Sequence, residues 1–224
     1  MTFKTAQTQV KANTPDLIAA TLRNAILQGR YRANEPLRQD TLARDLGVSK
    51  IPLREALVQL KAEGLVTLLP KRGAVVSRLS GSEVAEIYAM RIALETVAIE
   101  RAMPGLGQAD LIRARSVLEI IDCEADRAQW GELNWEFHAT LYQAAQMPLL
   151  LQTIQTLHNN VNRYLIIYLD RLSGLDLSRK QHWDLLDACR EKDLPRATAV
   201  LKTHLNQASE NLVSYLSFQL QSTP

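Results

Sequence analysis

Four histidines occur in this 224-residue sequence, at 138, 158, 182 and 204, and three of them are spaced as metal ligands would be. Asn134 and His138 stand four apart in the segment AsnTrpGluPheHis, which puts both on one face of a helix. His182 lies 11 residues before Asp193 and His204 lies 11 after it. If Asp193 caps a helix that folds back on its predecessor, each histidine is ~16 Å from the turn and the imidazoles meet across the hairpin. A third helix carrying His138 against that pair makes a three-nitrogen site, suited to zinc, nickel, manganese or iron. The alternative is four ordinary core or surface histidines. His158 is off this spacing and reads as a packing or pocket residue. No nucleophile–base pair or glycine-rich phosphate loop accompanies the histidines, although Glu136 could serve as a base in a metal-dependent enzyme.

Helices must position these groups. From Ser80 onward glycine and proline are sparse and no alternating pattern appears, which predicts an all-α bundle of six helices over residues 79–224. Ser80 and Glu83 form a capping box. Later segments run about 108–128, 131–146, 148–171, 178–192 and 194–220, with breaks at Pro104-Gly105, Gly131, Pro148, Gly174 and Pro195. Asp193 is the expected cap of the last helix. Arg163, in AsnArgTyr, can face the interior of this bundle.

Residues 1–78 read differently. Thr14, Pro15 and Asp16 supply an N-cap, a first-turn proline and an acidic first turn; Leu17, Ile18, Leu22, Ala25 and Ile26 follow at helical spacing, and Gly29 ends the helix. The stretch ArgTyrArgAlaAsnGluPro reads as a turn. A short helix through Thr41–Leu46 stops at Gly47. Another starts with Ser49 as cap and Pro52 in its first turn, and closes at Gly64. Two short helices joined by Gly47-Val48-Ser49 predict a helix-turn-helix, whose second member reads the DNA major groove. Leu65–Leu69 and Ala74–Ser77, two strand-like runs around Pro70-Lys71-Arg72-Gly73, predict a wing with a basic tip.

Charge agrees with this division. The whole chain carries a net +2, but residues 1–78 hold 13 Lys or Arg against 6 Asp or Glu, net +7, while the remainder holds 13 against 18, net −5. Only the first part suits a polyanion. The 46% apolar and 22% charged composition is that of a globular protein, and no run approaches the ~18 apolar residues of a membrane span. The N-terminus lacks the apolar region of a secretory signal, so a cytoplasmic location is expected. Cys123 and Cys189 fit neither a disulfide framework nor a zinc knuckle and are expected to be buried free thiols.

The segment LeuAlaArgAspLeuGlyValSerLysIleProLeuArgGluAlaLeu, followed by AlaGluGlyLeuVal and LysArgGlyAlaVal, resembles the GntR-type regulators over about residues 14–78. The resemblance implies that Arg38, Arg44, Ser49, Lys50, Arg54, Lys71, Arg72 and Gly73 meet operator DNA. It also implies a homodimer on an inverted repeat, usually as a repressor. Where the family usually has Ser-Arg-Thr-Pro, this chain has Ser49-Lys50-Ile51-Pro52. Residues 80–220 are similar to the FCD ligand domain of the FadR-like branch, and the six-helix count looks like the VanR-type subgroup. In that domain an Asp-x-x-Phe-His segment and two later histidines on the last two helices bind a divalent metal. Asn134, Phe137, His138, His182 and His204 fall on those positions, which implies a metal-holding role for Asn134, His138, His182 and His204. Asn134 departs from the family's Asp and brings no negative charge. Arg91 matches an arginine that holds an effector's acid group, so a small carboxylate is the expected ligand; an i+4 ion pair with Glu95 is the competing role. Two other readings are a metal-dependent enzyme on a DNA-binding tether and an architectural DNA-binding dimer without effector.

Overall fold

The computed structural model describes residues 14–69, 73–123, 127–169 and 175–221. The chain forms two compact units divided between Arg78 and Leu79.

Among its described residues the first unit holds three helices and a small sheet. Helix α1 (Pro15–Leu27) starts where the Thr14 hydroxyl accepts from the Leu17 N–H at 3.4 Å, and it buries Ile18, Leu22 and Ile26 along one face. Helix α2 (Gln39–Leu46) ends because Gly47 takes a left-handed φ of 64°, a conformation only glycine adopts without strain. Two residues later α3 (Lys50–Ala62) begins, turning Leu53, Ala56, Leu57 and Leu60 into the core. These four side chains are at most 1% exposed; a fully buried leucine contributes ~1.5–3 kcal/mol. Ser49 occupies the N-cap position of α3 but its side chain makes no capping hydrogen bond, contrary to the sequence expectation. Arg23 on α1 clasps Glu63 just past α3 at 2.5 Å and fixes the crossing of the two helices.

Strands β2 (Val66–Leu69) and β3 (Gly73–Val76) pair antiparallel, from Val66 opposite Val76 to Leu69 opposite Gly73. A further strand, β1 (Pro36–Leu37), lies on the other edge of β3, giving the order β1-β3-β2. The sequence reading had a plain turn there. The strand exists because Leu37 plugs the core at 1% exposure, and Pro36, which has no N–H to give, is tolerated on an edge strand.

The second unit contains six α-helices among the described residues: α4 (Gly81–Ala102), α5 (Gln108–Cys123), α6 (Arg127–Tyr142), α7 (Pro148–Leu169), α8 (Leu175–Arg190) and α9 (Leu194–Gln221). A short 3-10 turn, Gln143–Ala145, follows α6. The capping box is present: Ser80 Oγ accepts from the Glu83 N–H, and the Glu83 carboxylate accepts from the Ser80 N–H at 2.7 Å. Asp193 Oδ1 accepts from the Arg196 N–H at 3.0 Å and starts α9. Helices α8 and α9 pack on each other, α9 lies along α4, and α6 sits between α5 and α7. Lys192, at the α8–α9 turn, donates to the carbonyls of Met103 and Leu106 and ties that turn to the α4–α5 connection.

Two expectations are corrected here. Gly131 does not break a helix but lies inside α6; a Cβ there would run into the side-chain amide of Asn162 on α7, so the glycine serves close helix approach. Cys123 is exposed, whereas Cys189 is buried and its thiol is pushed up to about 12 by burial. Helix α5 turns Ala114, Val117, Leu118 and Ile121 inward, and Cys123, two residues beyond, falls on the opposite side. Gly174 lies outside the described residues.

Candidate metal centre and nucleic-acid interface

In the first unit α2, α3 and the start of β3 surround an open cleft of about 480 Å³ whose lining includes Arg38, Gln39, Asp40, Lys50, Arg54 and Gly73. Four of the eight residues implicated in DNA contact thus line one concavity. Lys50 forms an exposed ion pair with Asp40, whose carboxyl is held below its usual range chiefly by that hydrogen bond. Arg54 Nε donates to Gln39 Oε1 at 3.0 Å. Such exposed contacts are weak and salt-sensitive, so both cations can exchange them for phosphate or base oxygens. Gly73 has a φ of +87° with open space around its Cα, which permits close backbone approach. Arg44 is exposed on α2 beside Asp45 and, with Ser49, is outside the cleft lining. Lys71 and Arg72 lie outside the described residues. Gln39 and Asp40 were missed by sequence reasoning; as polar residues opening a short helix they carried no signal beyond capping.

The second unit brings three histidines together in its interior. Helix α6 supplies His138, α8 His182 and α9 His204, and one ligand nitrogen of each lies within 4.8 Å of the others. The ring centroids of His182 and His204 are 4.6 Å apart, those of His138 and His182 5.2 Å, and those of His138 and His204 5.5 Å. All three residues are buried. Burial first, then the neighbouring imidazoles, holds the His138 and His182 pKa values well below the usual range; burial, then Arg91, lowers His204 to about 4. At neutral pH the cluster is therefore uncharged, the state in which imidazole binds metal.

Supporting hydrogen bonds select which nitrogen is offered. Arg91 Nε is paired with Glu95 Oε1 at 2.8 Å, and Tyr142 donates its hydroxyl proton to Glu95 Oε2 at 2.7 Å. The Tyr142 oxygen, 3.2 Å from His138 Nδ1, must then accept from an Nδ1–H, leaving the Nε2 lone pair of His138 free. Gln181 Oε1 lies 3.0 Å from His204 Nδ1 and does the same for that ring. His138 Nε2, both nitrogens of His182 and the Oδ1 of Asn134 are buried without a hydrogen-bond partner. Each such group costs ~1–3 kcal/mol when unsatisfied. One His182 nitrogen carries the proton of the neutral ring, and the other, with His138 Nε2 and Asn134 Oδ1, leaves three acceptors chemically suited to a cation. Asn134 is 4% exposed and shares a helix face with Trp130 and His138, whose rings both flank His182.

Arg91 sits 3% exposed with its Nε committed to Glu95; burial opposes its charge most strongly, but Glu95, Tyr88 and Tyr142 together outweigh it and keep the pKa raised. Its positive charge nevertheless lowers His138, His158 and His204, so it belongs to the same neighbourhood. His158 is buried on α7, its ring 5.4 Å from that of Trp135, and burial lowers it to about 3; it is not part of the three-histidine group. Arg163 lies on α7, and its side chain is outside the described part. Sequence reasoning missed Tyr142 and Gln181. Tyr142 carried a signal, since it stands four beyond His138 on the same side of α6.

Residues 15–76 match the pattern described as bacterial regulatory proteins, gntR family, and residues 86–207 match the FCD domain. The HTH-type transcriptional repressor RspR of Escherichia coli is 27% identical over 213 residues, covering 93% of each chain. The repressor GlaR of the same organism is 29% identical over 195 residues, covering 82% of this chain and 89% of its own. Among solved structures, a GntR family member from Pseudomonas syringae is 34% identical, with a TM-score of 0.58, covering 92% of this chain and 87% of its own. Escherichia coli McbR/YncC shares the fold at 23% identity and a TM-score of 0.80, covering 90% of this chain and 97% of its own.

Proposed function

Because this chain belongs to the GntR family of bacterial regulatory proteins and carries an FCD domain, making it a DNA-binding transcriptional regulator rather than an enzyme, we propose that it is a homodimeric repressor whose operator affinity is set by a small carboxylate bound over a divalent metal. The relatives RspR and GlaR are both named repressors, which supports that direction of control. A two-fold dimer matches an inverted repeat, each α3 entering one major groove, with Arg38, Arg44, Ser49, Lys50, Arg54, Lys71, Arg72 and Gly73 as the DNA-facing set. Residues 1–78 are the DNA-binding part and residues 79–224 the effector-binding and dimerisation part.

The observation that carries the sensing half is the buried group of His138, His182 and His204, two of whose Nδ1 atoms are held by hydrogen bonds that leave Nε2 free. These three, with the Asn134 amide oxygen, would hold zinc, nickel, manganese or iron. A bound divalent ion would supply Lewis-acid positions for an oxygen-donor effector. The residues around it exclude water and fix the rings, while Arg91, and Arg163 on α7, are the cations proposed to face the effector's acid group. Effector binding changes operator affinity only by favouring one arrangement of the protein over another.

Elemental analysis of protein purified without a histidine tag tests the metal. Close to one equivalent per chain is expected, and loss of that metal in a His182→Ala variant. Less than about a tenth of an equivalent after soaking in zinc or nickel overturns the site.

A further inference from the structure

Ile51 is 71% exposed, the most exposed large apolar side chain among the described residues of the first unit. It stands in the first turn of α3, on the face opposite the buried Leu53, Ala56, Leu57 and Leu60. Its outward neighbours at helical spacing are Arg54 at i+3 and Val58 at i+7, the latter 55% exposed. Nothing inside the unit requires an isoleucine there. Its chain neighbour Lys50, and Arg54 one turn on, both line the cleft, and the net +7 of residues 1–78 suits that part of the chain to a polyanion. A duplex held by those two cations presents its base edges to the first turn of α3, and so to Ile51.

The chemistry of the side chain then restricts what it can recognise. Isoleucine has no donor or acceptor, so it cannot bond to the N7, O6, N6 or N4 groups of the major groove. The apolar group exposed there is the 5-methyl of thymine. Cytosine at the same place would set an unmethylated edge and an amine against a butyl group. We propose that Ile51 is a specificity-determining residue that reads the 5-methyl group of a thymine beside the bases met by Lys50 or Arg54. The proposal rests on α3 being the helix that enters the major groove.

The test uses the full-length chain. Preferred duplexes are first selected from a randomised pool, and each thymine of the selected half-site is then replaced by deoxyuridine, which removes only the methyl. Fluorescence anisotropy gives the affinity of the wild type and of Ile51→Ala for each duplex. One thymine position should weaken about fourfold for each methyl removed, the value of one buried methyl or methylene, and in Ile51→Ala thymine and deoxyuridine should bind alike. Because Ile51 is on the surface, the variant should unfold at the wild-type temperature, and a circular-dichroism melt verifies that it is folded. Enriched sites that are insensitive to every deoxyuridine, or a methyl effect that persists in Ile51→Ala, overturn the proposal while leaving α3 as the reader. A pool that yields no enriched sequence removes the major-groove reading and this inference with it.

Discussion

Tyr142 has one hydroxyl proton, and Glu95 receives it; the orientation of His138 therefore depends on a carboxylate 43 residues earlier in the sequence. Tyr142→Phe removes the acceptor for His138 Nδ1–H while keeping the ring's volume. Loss of such a supporting contact typically lowers metal affinity 10–100-fold, and chelator competition should show a drop of about that size, while the metal-free protein also melts lower because the buried Glu95 Oε2 loses its donor. Equal affinities would mean that the contact does not orient the ligand. His158 gives a second expectation at this scale. Its pKa is near 3 in the fold and ~6.5 when unfolded, so below ~6.5 the unfolded chain binds more protons than the folded one. Stability is thus present above ~6.5 and is lost as the pH falls toward 3, by up to ~1.4 kcal/mol per pH unit for each such histidine. Urea midpoints of metal-free protein should fall between pH 7 and pH 5, and fall less in His158→Leu; identical midpoints at the two pH values would contradict the buried neutral state.

At the scale of elements, Gly131 offers a comparison whose sign is informative. Alanine at a helix interior is favoured over glycine by ~1 kcal/mol, but here the added Cβ meets the buried amide of Asn162, an overpacking that typically costs ~1–3 kcal/mol. Gly131→Ala should therefore destabilise the wild type by about 1 kcal/mol and stabilise an Asn162→Ala background, as read from urea midpoints. The same sign in both backgrounds would show that the contact does not limit the approach of α6 and α7. This residue also shows where sequence reading stops. Helix starts were legible because caps are local: Thr14, the Ser80–Glu83 box and Asp193 each act within three or four residues. Gly131 was misread because a glycine that ends a helix and one that lets another helix approach look alike until the partner is known. Strand β1 was missed because two residues become a strand only through β3, almost 40 residues later. The His182–His204 pairing was legible from the equal arms about Asp193, and Tyr142 and Glu95 stand at i+4 from His138 and Arg91. The Tyr142–Glu95 bond between α6 and α4 and the Gln181–His204 bond between α8 and α9, however, join helices in ways that spacing does not encode.

Over the whole molecule, the sequence separates its charges as it separates its units: net +7 in the first 78 residues and −5 in the rest. The positive part supplies sequence-independent attraction to phosphate and must weaken steeply with salt. In the proposed function, α3 and its exposed first turn supply the preference among sequences. The enzyme reading loses its ground, since the family and its named relatives are regulators. The measurement that bears most directly on this account is equilibrium binding of the metal-loaded full-length chain to its own promoter duplex and to a scrambled duplex of equal composition, at ~150 mM salt. The promoter should bind ~10³-fold more tightly or better, with Arg54→Ala narrowing that ratio. Equal affinity for the two duplexes, with or without small carboxylates, would contradict it.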